Sequence, residues 1–323
     1  MRPVHAIYVL LACWCAVAGA TAGIAQEWPT RPIQVVSPFA TGTTSDLVAS
    51  VVLNQVSLQI GQSFNIENRP GGGGTVGVMS VVHANPDGYT LLLSSSAMST
   101  AVILHKSLPY DALRDLEPVA MLGSDPSVLA TAPGKGFMTV ANLVAAAKAK
   151  PGELKFASVG VGSASHIAGE RFCQAAGLNV QHVIYPGPVQ ALDDLMAGRI
   201  DFYFIPIAPA VPLYRQGRIV VLAVSAPSLT LPAVPTLAKA GYPIAPSLFW
   251  RGLSAPAKTP HDVVDKLNAA IVKVVEMPVI RNKFQGMGVE PMPMSPEQYG
   301  TFVADDIAAM TKLGKDAHIE PQD

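Results

Sequence analysis

From residue 31 onward, short apolar runs alternate with stretches whose apolar residues recur every three or four positions. Pro32-Ile33-Gln34-Val35-Val36-Ser37 predicts a buried strand, followed by a loop over 38–45. From Asp46 to Ile60, Leu47, Val51 and Leu58 fall on one helical line and Val48, Val52 and Val56 on the next. That spacing predicts a helix, started by Ser45 or Asp46 and ended by Gly61. Phe64–Asn68 predicts the next strand, Val76–His83 a helix and Tyr89–Leu93 a third strand. The same order restarts at Leu154–Ser158, a strand, with Ser165–Ala176 as helix, Val180–Tyr185 as strand and Val189–Ala197 as helix. Asp201–Ile205 and Ile219–Ser225 predict further strands, and His261–Glu276 and Pro296–Lys312 predict helices. Proline-rich 226–235 and 242–246 read as surface connections.

Strand–helix–strand alternation of this kind predicts an α/β fold with a doubly wound, mostly parallel sheet flanked by helices. A chain of 323 residues, half of them apolar, exceeds the commonest domain size, which points to two lobes with a hinge between them. The expected division places 26–125 and 226–323 in a discontinuous first lobe and 126–225 in the second. The chain is expected to cross near Val119–Ala130 and Val220–Ala226, where short apolar strands lack a following helix on the same side.

The N-terminus changes where the chain is expected to reside. Arg2 and His5 precede an apolar run from Ala6 to Ala18, and Gly23-Ile24-Ala25 offers small residues before Gln26. This is the pattern of a signal peptide over 1–25, too short to span a bilayer, and it implies export to the periplasm. Leu10-Leu11-Ala12-Cys13 is a weaker lipobox-like variant that would anchor the chain at Cys13. Cleavage removes one base, Arg2, and no acid, so the net charge moves from −1 to −2. Such a chain has no basic stripe for nucleic acid and no polybasic signal for a membrane surface. Cys173 alone remains, so no intrachain disulfide can form, and its place in a helical pattern reads as a buried small residue.

Candidate chemistry lies in the loops. Open α/β sheets bind ligands beyond the carboxyl ends of their strands, at helix N-termini whose free N–H groups attract anions. One such loop carries Phe39, Ala40, Thr41, Gly42, Thr43, Thr44, Ser45 and Asp46; a second carries Ser158, Gly160, Val161, Gly162, Ser163 and His166. Both are rich in hydroxyls and glycine and almost uncharged, and one falls in each expected lobe. Their meeting would hold a carboxylate without any basic side chain. Ser95 and Ser96, after the third strand, add hydroxyls or simply cap a turn; Tyr185 and Ile205 complete the expected ligand contacts. Gly71–Gly74 is not a phosphate loop, since no Gly-Lys-Ser/Thr follows. The histidines at 83, 105, 166, 182, 261 and 318 show no metal-ligand spacing, and no nucleophile motif occurs, so neither metal, cofactor nor catalysis is expected. The acid pairs Asp193-Asp194 and Asp305-Asp306 read as solvated helix faces.

At these residues the chain resembles a known family. Trp28-Pro29-Thr30-Arg31-Pro32-Ile33, Glu67-Asn68-Arg69-Pro70-Gly71-Gly72-Gly73-Gly74 and Asn85-Pro86-Asp87-Gly88-Tyr89-Thr90 resemble the signature of the Bug family, the extracytoplasmic receptors of tripartite tricarboxylate transporters. Leu108-Pro109-Tyr110-Asp111, His166-Ile167-Ala168-Gly169-Glu170 and Leu231-Pro232-Ala233-Val234-Pro235-Thr236 extend the match. The resemblance implies a type II periplasmic-binding-protein fold, a monomer that closes on a small carboxylate, an organic acid or amino acid. Carried over, the first grip falls on Ala40–Asp46, with Asp46 capping its helix and orienting the loop, and the second on Ser158–His166. Departures are Thr41, Thr43, Thr44 and Ser45 in the first loop, Pro186-Gly187 after Tyr185, and Phe204-Ile205-Pro206 at a strand end. They imply a less polar far wall and a ligand with an apolar body. The implied partner is a membrane transporter, the alternative a membrane sensor kinase; a secreted enzyme using Ser163 or His166 is a third reading.

Overall fold

The computed structural model describes residues 28–39, 41–161, 163–228, 230–242, 248–316 and 321. The expected signal segment lies outside them, as do Ala40 and Gly162. Met1–Thr30 and Arg31–Asp323 are separate units, and every element named here belongs to the second. No described helix is long and apolar enough to cross a membrane.

Strand β1 (Ile33–Ser37) is followed by helix α1 (Thr44–Ile60), β2 (Phe64–Asn68), α2 (Thr75–Val82), β3 (Thr90–Ser95) and α3 (Ser96–Leu104). A 16-residue strand β4 (Leu116–Thr131) leads through α4 (Val140–Ala149) to β5 (Lys155–Ser158), α5 (Ala164–Ala176), β6 (Gln181–Ile184) and α6 (Pro188–Met196). Next come β7 (Phe202–Pro206), α7 (Ile207–Arg215), β8 (Val220–Val224) and β9 (Leu248–Pro256). The chain ends with α8 (His261–Val275), α9 (Pro278–Met287), the short β10 (Glu290–Pro291) and α10 (Pro296–Asp316).

The strands form one mixed sheet in the order β2-β1-β3-β9-β4-β7-β5-β6, with β8 and β10 pairing β4 off this path. The α/β class is as the periodicity predicts. Parallel pairing, however, is confined to the flanks, β2-β1-β3 and β6-β5-β7. The centre is antiparallel, because β9 and β4 run against their neighbours. Both are buried on two faces, so their residues read as continuous apolar runs, and direction leaves no trace in such a run.

Strand β4 joins the two halves. Leu116–Pro126 pairs β9, whereas Ser127–Ala130 pairs β7. The partner changes at Pro126, which has no N–H to give to a ladder. Each half keeps its own core. Val36, Val78, Leu92, Met98 and Leu116 pack together in the first. Phe156, Phe172, Phe202 and Phe204 dominate the second, with Cys173 buried among them as expected. Ile167 of α5 also meets Ile103 of α3 and Met310 and Leu313 of α10.

The centre of the sheet admits little change. A Cβ on Gly252 would sit 2.8 Å from the Ala120 carbonyl oxygen and closer still to the Tyr299 ring and hydroxyl. Tyr299 is itself fully buried, with its hydroxyl 2.8 Å from Ser94 Oγ. Gly252→Ala is therefore expected to lower unfolding free energy by about 1–3 kcal/mol. The urea midpoint should fall at constant slope; an unchanged midpoint would show that Tyr299 moves aside at no cost.

Candidate functional site

Three helix starts define the site. In the first loop the cap of α1 is Thr43, not Ser45 or Asp46: its Oγ1 accepts from the Asp46 amide at 3.3 Å. Asp46 instead fastens the loop from beneath. Its carboxylate accepts from Ser37 Oγ at 2.7 Å, the Gly42 amide at 3.0 Å and Asn68 Nδ2 at 3.0 Å. The same Asn68 amide donates to the Phe39 carbonyl at 3.0 Å. Asp46 therefore orients the loop, as the resemblance implies, while the capping falls to Thr43.

The second loop is tied in a similar way. Ser163 caps α5, accepting from the His166 amide at 3.3 Å and donating to the Gly160 carbonyl at 2.7 Å. Gly160 has φ +135°, a region that L side chains rarely adopt, which explains a glycine there. Ser158 anchors the strand end: the Gly160 amide donates to its Oγ at 3.2 Å, and that Oγ lies 2.5 Å from His182 Nε2. The third start is α3, capped by Ser95, whose Oγ accepts from the Ala97 amide at 3.2 Å. Ser95 and Ser96 thus open a helix that the residue spacing does not predict.

These starts converge on one cavity of about 350 Å³. Phe39, Thr43 and Ser45 line it from the first loop, Ser95 and Ser96 from the third strand, and Ser163 from the second loop. Thr41, Gly42, Thr44, Asp46, Ser158, Gly160, Val161 and His166 belong to the loops without forming its wall. Tyr185 and Ile205 lie elsewhere: Tyr185 donates its hydroxyl to Asp194 at 2.6 Å, and Ile205 is buried in the second half's core. Asp194, read as a solvated acid, also holds Arg199. The first-turn amides of a helix have no intrahelical acceptor, and three such turns give the cavity a positive potential. A second cavity of equal volume, lined by Met98, Leu113, Tyr299 and Val303 among others, contains no helix-capping residue.

The wall also holds residues that the loop pattern does not predict, among them Thr100, Ala101 and Leu104 of α3, His105 at its end, and Phe249, Trp250 and Arg251 of β9. Trp250 Nε1 donates to Asp306 at 2.7 Å, so Asp306 is no solvated acid but the anchor of this ring. Arg251 corrects the expectation of a wall without basic side chains. Its guanidinium is buried and donates to Asp125 Oδ1 at 2.8 Å and Oδ2 at 2.6 Å.

Residues 48–318 match the family described as tripartite tricarboxylate transporter family receptor. The chain belongs to this family. It is 35% identical to protein BugT of Bordetella pertussis, over 89% of this chain and 91% of that one. Two solved structures share the fold over nearly their whole length. Rpa4515 of R. palustris, solved with adipate, is 30% identical with TM-score 0.74, covering 92% of this chain and 100% of its own. MatC of Rhodopseudomonas palustris, solved with bound malate, is 29% identical with TM-score 0.69, covering 89% and 100%. The family and these neighbours are binding proteins, and receptors of the family are periplasmic.

Behind the second loop of this receptor-family chain, the fold gathers two histidines that are separate in sequence. His166 and His182 stack with centroids 4.3 Å apart and planes 17° from parallel, and Phe156 stacks on His182 at 4.7 Å. His166 Nε2 lies 3.6 Å from Glu170 Oε1, and potential donor atoms of His166, Glu170 and His182 all lie within 4.8 Å of one another. The expectation of dispersed histidines is thereby corrected. Near-parallel rings direct their in-plane lone pairs side by side, not towards a shared ion, so the arrangement suits packing better than chelation. Ser158 beside His182 imitates a nucleophile and its base, yet Ser158 is fully buried and forms no part of the cavity wall.

Electrostatics fit a structural role for the cluster. Burial, reinforced by neighbouring His166, lowers the His182 pKa from 6.5 to about 4, against a weaker opposing pull from Glu170. Burial also raises the Cys173 thiol, which keeps it unreactive. Burial and the bond to Asp194 push Tyr185 up to about 12. Between pH 6.5 and 4 the unfolded chain binds a proton at residue 182 that the folded one refuses. Stability from this group is therefore complete above 6.5 and lost as pH falls through that window. Melting temperatures from pH 7.5 downward should drop more steeply in the parent than in His182→Gln; parallel curves would assign the acid sensitivity to other groups.

Proposed function

We propose that this protein is a periplasmic solute receptor that captures a small carboxylate in the cavity between the first and second loops. It then delivers the ligand to a tripartite tricarboxylate-type membrane transporter. The single observation that carries this reading is the convergence of three capped helix N-termini on one cavity. Each contributes unpaired amides and a partial positive charge, a combination suited to an anion. Adipate and malate in the related structures agree with that chemistry. The apolar wall, with Phe39, Ala101, Leu104, Phe249 and Trp250, suits a short aliphatic body.

The receptor closes as two lobes, 26–125 with 226–323 against 126–225, hinged where β4 changes partners at Pro126. Support for the hinge lies in the pairing: few strands pass between the half-sheets, and β4 serves both. Three of the hydroxyls that line the cavity, those of Thr43, Ser95 and Ser163, serve as helix caps, each accepting a backbone amide, which favours a binding role over nucleophilic chemistry for them.

Isothermal titration with C4–C6 carboxylates should show one ligand per chain at micromolar Kd or tighter, about −8 kcal/mol. X-ray scattering should show a smaller radius of gyration with ligand. Absence of both binding and compaction across such carboxylates and acidic amino acids would overturn the reading. Asp46→Ala is expected to weaken binding by at least about tenfold although Asp46 does not line the cavity, because it orients the amides that do. Unchanged affinity in a folded variant would relocate the grip away from the first loop.

A further inference from the structure

Besides sharing β4, the two halves touch at two places that differ in kind. The first lies beside the point where β4 changes partners, and there backbone meets backbone. Gly288 ends α9 at φ +71°, and a Cβ on it would sit 2.9 Å from the Ala208 Cβ and 3.0 Å from the Ala208 amide nitrogen in α7. The short β10 follows, with Glu290 opposite Ser124 of β4 and its carboxylate accepting from Ser228 Oγ at 3.0 Å. Atoms packed this closely can turn about one another but cannot slide, which makes the junction a pivot.

The second place is the packing of α5 on α10. Phe172 and Cys173 fasten one face of α5 into the second half's core. Another face carries Ile167, Arg171 and Gln174 at helical spacing towards α10. Helix α10 is bound to the first half, since Tyr299 packs edge-on against Trp250 and a Cβ on Gly314 would lie 2.6 Å from Ile103 Cγ2 of α3. Ile167 fits well between the halves, 2% exposed against Met310 and Leu313. Arg171, one turn further on, does not. It is 6% exposed, one terminal nitrogen reaches the Met310 sulfur at 3.8 Å, and the other has no hydrogen-bond partner among the described residues. Burial disfavours its charge, against a weaker pull from Asp306. A gap of about 250 Å³ remains beside it, lined also by Lys312 and Asp316, which pair with each other. A dry guanidinium without a bonded carboxylate is disfavoured, and the penalty vanishes when the helices part and water reaches it.

We propose that the α5–α10 contact is a releasable latch on lobe closure, and that Arg171 keeps it weak enough to open, thereby setting ligand affinity and release without touching the ligand. This inference rests on the two-lobed receptor reading above. Helix α5 joins the two sites. Its first residue, Ala164, and its cap Ser163 line the cavity, while its later turns lie on α10. An anion that holds the first turn therefore favours the shut latch, and an open latch withdraws that turn from the anion. The closed fraction enters the apparent affinity directly.

Two variants push the latch in opposite directions. Arg171→Met keeps the length of the side chain and removes its charge, whereas Ile167→Ala removes the apolar grip. X-ray scattering without ligand should give a smaller radius of gyration than the parent for Arg171→Met and a larger one for Ile167→Ala. With hexanedioate, calorimetry and stopped-flow dissociation should show Arg171→Met binding more tightly and releasing more slowly, on the order of three- to tenfold, and Ile167→Ala weaker by a similar factor. A purely structural role would weaken binding in both variants. Thermal unfolding establishes which variants are folded; where Ile167→Ala is not, Ile167→Val should show the same directions at smaller size. The latch is overturned by an Arg171→Met variant that binds more weakly, that matches the parent in radius and release rate, or that does not fold. A parent that binds hexanedioate beside such variants keeps the receptor reading and loses the latch. A parent that binds no carboxylate, with ligand-free radii that separate as expected, keeps the latch and loses the receptor reading.

Discussion

Backbone amides at the start of a helix have no acceptor within that helix, and this geometric deficit is the constraint on which the site depends. A surface helix gives those amides to water. Here three helices, α1, α3 and α5, turn their first turns towards one cavity, lined by Thr43, Ser95 and Ser163. Each cap hydroxyl satisfies one amide of its own helix and leaves others without a partner. The resulting field is built from peptide dipoles, which cannot swing away as a lysine can, and it suits an anion that must be released again after capture.

Holding those dipoles in register requires buried polar work behind the wall. Asp46 binds Ser37, Gly42 and Asn68 at once, joining the ends of β1 and β2 to the first loop. Ser158, the Gly160 amide and His182 do the same for the end of β5, and His182 is kept neutral by its surroundings. The second device answers to acid, because a buried imidazole stacked on Phe156 and His166 resists protonation. Neither group needs to touch a ligand to decide how well the loop above it does.

Much of this was legible in the residue pattern, and the limits follow from what each feature depends on. Helices α1, α5, α8 and α10 and the flanking strands show clear periods, so their positions follow from local spacing. The two hydroxyl-rich loops stood out because helix caps demand those residue types. Helix α7 did not, since Pro209 and Pro212 lie within it. The antiparallel centre was equally hidden, because a buried strand advertises burial and not direction. His166 and His182 meet only once β6 lies beside β5, a tertiary event with no local signature. Trp250 and Arg251 entered the site for the same reason: β9 is placed against β3 by pairing across about 150 residues of chain, which sequence spacing cannot reveal.

Arg251 and Asp125 bring the two themes together, since the pair sits where β9 and β4 adjoin, close to the point at which β4 passes from one half-sheet to the other. A buried ion pair adds little net stability, because desolvation of both charges offsets their attraction, and apolar residues of similar size would serve the sheet as well. Stability therefore gives no sufficient reason for a guanidinium at this place. Orientation does. Asp125 fixes the plane of the guanidinium and leaves Nε without a partner beside the start of α3. The same neighbourhood contains Gly252, where the Tyr299 ring and the Ala120 carbonyl allow no side chain, so the strand can hardly shift to relieve that unsatisfied donor. A rigid strand and a guanidinium held by two hydrogen bonds fix this corner of the cavity wall, in a part of the sheet where packing alone would have chosen a hydrophobic residue.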